Sequence, residues 1–307
     1  TRSHHLRGVR PPLVPNRAVE PNSPRGGVKG GQTPLILRRV RSLAAAVVVA
    51  VFSVPLAVMV LGALHAPGRP PPVGWEIVPT EPSLAAFERA FALVPLGRQL
   101  VNSLTIVAIA VPLTVACASL TGFAMTRLKR PWHGIAVGFT LVCLTIPMSA
   151  LWVPRFAIFR ALGVLDSYVP LIAPALVGTS PLLVLLCYWS ARGVSRDLID
   201  AARLAGYGPL RVWWQIVLPL TKPTALAVAA LAFVAHWGNF IEPLLYLYDT
   251  AKATLPMGLS SLRQLGPTDA PVLLAGSVVA ALPPVLAFAL AQRAVLDDTR
   301  RAGWTRR

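Results

Sequence analysis

The sequence predicts an all-α integral membrane protein with six transmembrane helices and both termini on the cytoplasmic side. Three observations predict it. The 307 residues are 55% apolar and only 13% charged, with a mean hydropathy of +0.62, where soluble domains carry roughly a quarter charged residues. Six apolar runs approach the length of about 20 residues that a helix needs to cross hydrocarbon, in which exposed backbone groups find no partner. The basic residues, finally, are distributed asymmetrically along the chain.

Residues 1–41, rich in Pro, Gly and Arg without a periodic apolar face, are expected to be a disordered basic cytoplasmic extension. Within it "GGVKGGQT" lacks the Gly-Lys-Ser/Thr ending of a phosphate loop and is read as linker. The spans are placed at 42–64, 101–125, 134–154, 167–191, 225–247 and 271–292, the third interrupted by Pro147. Pro283-Pro284 is expected to kink the sixth. The first is too long for a signal peptide and has no cleavage site behind it. A six-helix transmembrane domain over 42–293 and a cytoplasmic tail over 294–307 follow.

Of the 29 Lys and Arg, 22 fall in the amino-terminal segment, the loops after spans two and four, and the tail. These segments are therefore expected to be cytoplasmic. The net charge of +17 is a topology signal with attraction to anionic lipid, and nucleic acid is not an expected partner.

The chemistry of an enzyme is missing. Cys117, Cys143 and Cys187 lie inside spans without metal-ligand spacing and read as packing residues, with no metal site expected. The spans hold one carboxylate, Glu242, and one imidazole, His236, in "HWGNFIEPLLYLY". An ionisable residue inside a membrane points to function, here a cavity-facing polar role or an interfacial structural one. No nucleotide site is visible, so uphill transport would need energy from a partner.

The loop 192–223 is long for a connection between packed helices. Ser195 is positioned to cap a helix whose apolar face reads Leu198, Ala201, Ala202 and Ala205. Gly206 is positioned as its left-handed cap, and Pro209 starts a second stripe of Leu210, Trp213, Trp214 and Val217, stopped by Leu218-Pro219. Such a pair of amphipathic helices suits a protein cleft or the inner leaflet equally.

Asp200-Ala201-Ala202, Gly206 and Leu218-Pro219 resemble the Glu-Ala-Ala, Gly, Leu-Pro signature of ABC importer permeases. "NSLTIVAIAVPLTVACASLTGFAMTRLKRP", "LTIPMSALWVPRFAIFRALGVLDSY" and "HWGNFIEPLLYL" are similar, in order, to the carbohydrate-type branch that includes the second membrane subunit of the maltose transporter, over about residues 42–293. The resemblance implies the ABC importer permease fold in a prokaryotic inner membrane. It implies that Asp200, Ala201, Ala202, Gly206, Leu218 and Pro219 couple to a cytoplasmic ATPase dimer, which binds ATP and Mg²⁺ where this chain binds no cofactor. A second permease as heterodimer partner and an extracytoplasmic solute-binding protein are implied as well. The chain departs from the signature at Asp200, where Glu is common, and at Ala205, where Asp is common.

The expected solute is a sugar or sugar-like molecule, with glycerol-phosphate or another polar solute as the alternative, and a standalone carrier or channel as the rival class. Trp237, Asn239, Glu242 and Tyr246 are the candidate pathway residues, because aromatic faces and amide groups suit polyols, with packing and interface roles as the alternative. Ala118 and Gly122, one turn apart, are expected to let helices approach closely.

Overall fold

The computed structural model describes residues 35–71, 74–177, 180–264 and 269–304. The expected extension therefore lies outside the described residues up to position 34, as does "GGVKGGQT". The described residues are almost entirely helical, without strands. Among the described residues, those up to Phe52 and those from Ser53 onward fall in two separate units.

Helix α1 (Leu35–Ala63) begins seven residues before the expected span, because Arg38, Arg39 and Arg41 are good helix formers and nothing in that stretch breaks a helix. From Ser42 to Phe52 its side chains are exposed, as suits a helix surrounded by hydrocarbon. Beyond Ser53 follow a short helix α2 (Ala85–Leu93) and the long α3 (Leu96–Arg127), about 48 Å at 1.5 Å per residue. Then come α4 (Trp132–Leu144), α5 (Met148–Ala161), α6 (Val169–Leu176) and α7 (Pro181–Arg192).

The expected third span is thus two helices bent by 96°. Thr145, Ile146 and an extended Pro147, which lacks an N–H to donate, separate them. The fifth is also broken: α11 (Lys222–Trp237) stops at Gly238, and the chain turns through Asn239 into α12 (Ile241–Tyr246). Helices α13 (Leu255–Gln264) and α14 (Ala270–Trp304) complete the chain. The tail expected after 293 is helical to Trp304, continuous with the last span. Among the described residues four segments are long and apolar enough to cross a membrane, and up to six if each bent pair counts as one.

Helix α3 is the hub, packing on α7, α11, α6 and α13. Small residues make this fit. A Cβ on Gly122 would stand 2.6 Å from the Tyr188 amide nitrogen and 2.8 Å from the Cys187 carbonyl carbon, so the two backbones touch there. Ala118, one turn earlier, is buried beside Cys187 and Tyr188 in the same cluster, as the spacing predicts.

Candidate functional site

Three places hold the polar chemistry. The first is the loop after α7, which folds as α8 (Arg196–Leu204), α9 (Pro209–Val212), a π-helical turn at Trp213–Val217 and α10 (Leu218–Leu220). Gly206 sits at φ +84°. Its N–H donates to Arg203 O at 2.9 Å and that of Tyr207 to Ala202 O at 3.0 Å, the paired bonds of a left-handed helix end. Ser195 stands at the start of α8, yet its side chain makes no capping bond.

Of the expected face Leu198, Ala201, Ala202 and Ala205, Ala202 alone is buried; Ile199 joins it, an offset that leaves Leu198, Ala201 and Ala205 exposed. Ile199 and Ala202 pack with Val212, Trp213 and Val217 against Phe123 at the end of α3. Trp213 Nε1 donates to Ser119 Oγ of α3 at 3.3 Å. The loop is thereby seated on its own transmembrane body. Asp200, Ala201, Leu204, Leu210 and Trp214 are left exposed, while Ala202 is consumed in the seat. Asp200 is 3.9 Å from Arg203 across an exposed surface, a pair worth a few tenths of a kcal/mol at most.

Leu218-Pro219 does not stop the helix as expected. Pro219 has no N–H and its ring crowds the Gln215 carbonyl, and the ladder widens so that the Leu218 N–H donates to Trp213 O. The chain breaks at Thr221 instead, where α11 departs at 87°.

The second place is a cavity of about 700 Å³ among α3, α4, α5, α6, α7, α11 and α12. Its wall includes Phe139, Cys143 and Trp152, with Arg155, His236, Asn239 and Glu242 as its ionisable and amide groups. Arg155 Nη1 donates to Glu242 Oε1 at 3.0 Å, and Asn239 Nδ2 to Glu242 Oε2 at 2.7 Å. Asn239 Oδ1 accepts the Glu242 amide at 3.3 Å, which fixes the turn between α11 and α12.

Two of the four expected pathway residues thus reach the cavity. Trp237 does not line it: it is buried, stacked on Phe233 with centroids 5.6 Å apart, and donates to Ala280 O of α14 at 3.1 Å. Tyr246 is fully buried edge-on against Phe159 at 5.4 Å. Both aromatics are taken by packing. Arg155 was missed because "MSALWVPRFAIFRA" reads as a loop edge once span three ends at 154; an Arg flanked by apolar residues on both sides was the available signal.

The third place joins the α5–α6 turn to the segment after α12. Asp166, at φ +54°, accepts the Tyr248 and Asp249 amides at 3.0 and 2.9 Å on Oδ1, while Lys252 Nζ donates to Oδ2 at 2.8 Å. Asn102 of α3 ties the same segment down by donating to Ala251 O and Ala253 O. The hydrogen bond from Lys252, then the two amides, hold the Asp166 carboxyl at about 2. The same bond to Asp166 raises the Lys252 ammonium above its usual range.

Comparison with known proteins agrees with this anatomy. The pattern of the family described as binding-protein-dependent transport system inner membrane component matches residues 90–300. The chain is 29% identical to the sulfoquinovosyl glycerol transport system permease protein SmoH of Agrobacterium fabrum, over 76% of this chain and 81% of that one. It is 32% identical to the arabinooligosaccharides transport system permease protein AraQ of Bacillus subtilis, over 62% and 68% respectively. Among solved structures, a chain of a bacterial ABC transporter involved in the import of the acidic polysaccharide alginate superposes with a TM-score of 0.67 at 18% identity, covering 83% of this chain and 96% of that one. That likeness concerns the fold.

Proposed function

We infer, because the chain belongs to the family of binding-protein-dependent transport system inner membrane components, that it is the multi-pass permease subunit of an ATP-driven importer for a sugar or sugar-like solute. The family match over 90–300 carries the reading, and the sugar transport names of SmoH and AraQ support the solute class. In this reading six spans cross a prokaryotic inner membrane with both termini cytoplasmic, which the Lys and Arg distribution supports. A second permease completes the pathway as a heterodimer, a binding protein delivers solute, and an ATPase dimer supplies ATP and Mg²⁺ chemistry.

The loop is the coupling element. Supporting this is its construction: one face seated on α3 through Ile199, Ala202, Val212 and Trp213, the other free with Asp200, Ala201, Leu204, Leu210 and Trp214. Gly206, Leu218 and Pro219 shape that surface, and Ala202 acts from beneath it by letting α8 sit close to Phe123. Asn239 and Glu242 belong to the solute path, supported by their place on the cavity wall.

Co-expression tests the reading. With an ATPase, a second permease and a binding protein, membranes should show solute-dependent ATP hydrolysis that Gly206→Asp abolishes while insertion persists. Transport by this chain without an ATPase, or undiminished transport by Gly206→Asp, overturns it.

A further inference from the structure

The cavity of about 700 Å³ lies within the size range of pockets that enclose small ligands, and mostly apolar walls with a few convergent polar groups are the usual build of such pockets. Here the polar groups converge from separate elements: Arg155 from α5, His236 from α11, Asn239 from the following turn and Glu242 from α12. The Arg155 and Glu242 side chains retain 12% and 11% of their exposure, so each charge depends on the other for compensation. At 3.0 Å their charges cancel within one hydrogen bond.

What remains on offer after that bond sets the ligand chemistry. A guanidinium has five N–H donors and a carboxylate about four acceptor sites. Arg155 spends one donor on Glu242, which accepts one further bond from Asn239 Nδ2. Spare donors and spare acceptors therefore stand side by side at zero net charge. Hydroxyl groups, which donate and accept at once, match that arrangement. An anion does not, because it reaches Arg155 only beside the Glu242 carboxylate, in surroundings that screen the repulsion poorly.

We propose that Arg155 and Glu242 form a self-neutralised contact point for the solute, which admits uncharged hydroxylated molecules and turns away anionic ones. The inference rests on the importer reading, in which this cavity is part of the solute path. Trp152 on the same wall supplies an apolar face for a sugar ring.

Cys143 lines the cavity and is a free thiol, which provides a native reporter. In membranes carrying the assembled transporter, alkylation of Cys143 by N-ethylmaleimide is followed by peptide mass spectrometry, which separates it from other thiols. Arabinotriose or maltotriose at saturating concentration should slow labelling by about threefold or more, the effect of majority occupancy. Glycerol 3-phosphate should leave the rate unchanged. In Glu242→Gln the uncompensated Arg155 should let glycerol 3-phosphate protect, and the double variant Arg155→Gln with Glu242→Gln, which buries no lone charge, should again respond to sugars alone.

Protection of the unaltered chain by glycerol 3-phosphate as strong as that by the sugars overturns the proposal. So does the absence of protection by either sugar. If Glu242→Gln fails to assemble, the contrast between probes on the unaltered chain and the double variant still decides. Failure of the importer reading is seen separately, as failure to recover an ATPase and a second permease with the chain.

Discussion

Gly122→Ala tests the central contact of the structure. The added Cβ would meet Tyr188 N at 2.6 Å, Cys187 C at 2.8 Å and Cys187 Cβ at 2.9 Å, where ordinary contact begins at 3.4 Å. Two of the three atoms are backbone, so α3 and α7 must part by up to about 0.8 Å; no side-chain rotation relieves them. Overpacking of this kind costs about 1–3 kcal/mol, and rigid neighbours on both sides argue for the upper half. Replacing a helical glycine by alanine returns up to about 1 kcal/mol of propensity. The net expectation is a loss of about 1–2 kcal/mol. Gly138→Ala is the control: it lies in α4 with nothing within 4 Å of the place its methyl would take, so only the propensity gain applies. Thermal unfolding of the purified chain in detergent should place Gly122→Ala below, and Gly138→Ala at or above, the unaltered protein. Equal stability of Gly122→Ala, or equal losses for both, would refute the close approach of α3 and α7. Because α7 runs through Gly193 directly toward α8, the same displacement should also lower coupled ATP hydrolysis.

Gly206→Ala meets no atom within 4 Å, but its φ of +84° penalises any Cβ, so a loss of about 1–2 kcal/mol confined to the loop is expected, with Gly206→Asn milder; hydrogen exchange of α8 amides checks it. Trp213→Phe keeps an aromatic ring in the seat but removes the donor to Ser119 and part of the buried indole, and should cost about 1–3 kcal/mol in unfolding measurements, with faster proteolysis of the loop. The Asp166–Lys252 junction has a defined pH window. Asp166 is lowered from 3.8 to about 2, so its contribution is present above 3.8 and lost as pH falls toward 2. Lys252 is raised from 10.5, so its contribution is present below 10.5 and lost above its folded value. The NMR signals of the Tyr248 and Asp249 amides, which donate to Asp166, should therefore hold steady between about pH 5 and 9 and shift outside that window in the unaltered chain, and Asp166→Asn should remove the acid transition.

The elements legible in the sequence are those in which one physical signal acts alone. Helices α1, α3 and α14 are long apolar runs, and hydropathy finds them without help. Gly206 is equally plain, because a left-handed position at a helix end calls for glycine whatever surrounds it. Hydropathy failed where it averages over a break. Pro147 marked the interruption of the third span but not its angle, while Gly238-Asn239-Phe240 is short enough that a window passes over it as the backbone turns.

The register of α8 was lost for a different reason. Leu198, Ile199, Ala201, Ala202 and Leu204 cover more than half of the helix circumference, so the helix by itself permits two overlapping faces. Phe123 and Trp213, brought in from α3 and the second half of the loop, choose Ile199 and Ala202. The aromatic residues of the fifth span show the same limit from the other side. Trp237 and Tyr246 have the chemistry of sugar contacts, but a donor bond to α14 and an edge-on ring on α5 use them first. Arg155 inverts the case: counted as a loop cation, it becomes the partner of Glu242 only when the bend at Pro147 folds α5 back beside α12. A carboxylate in an apolar span therefore points to a partner cation, and here that cation lies 87 residues earlier in the chain.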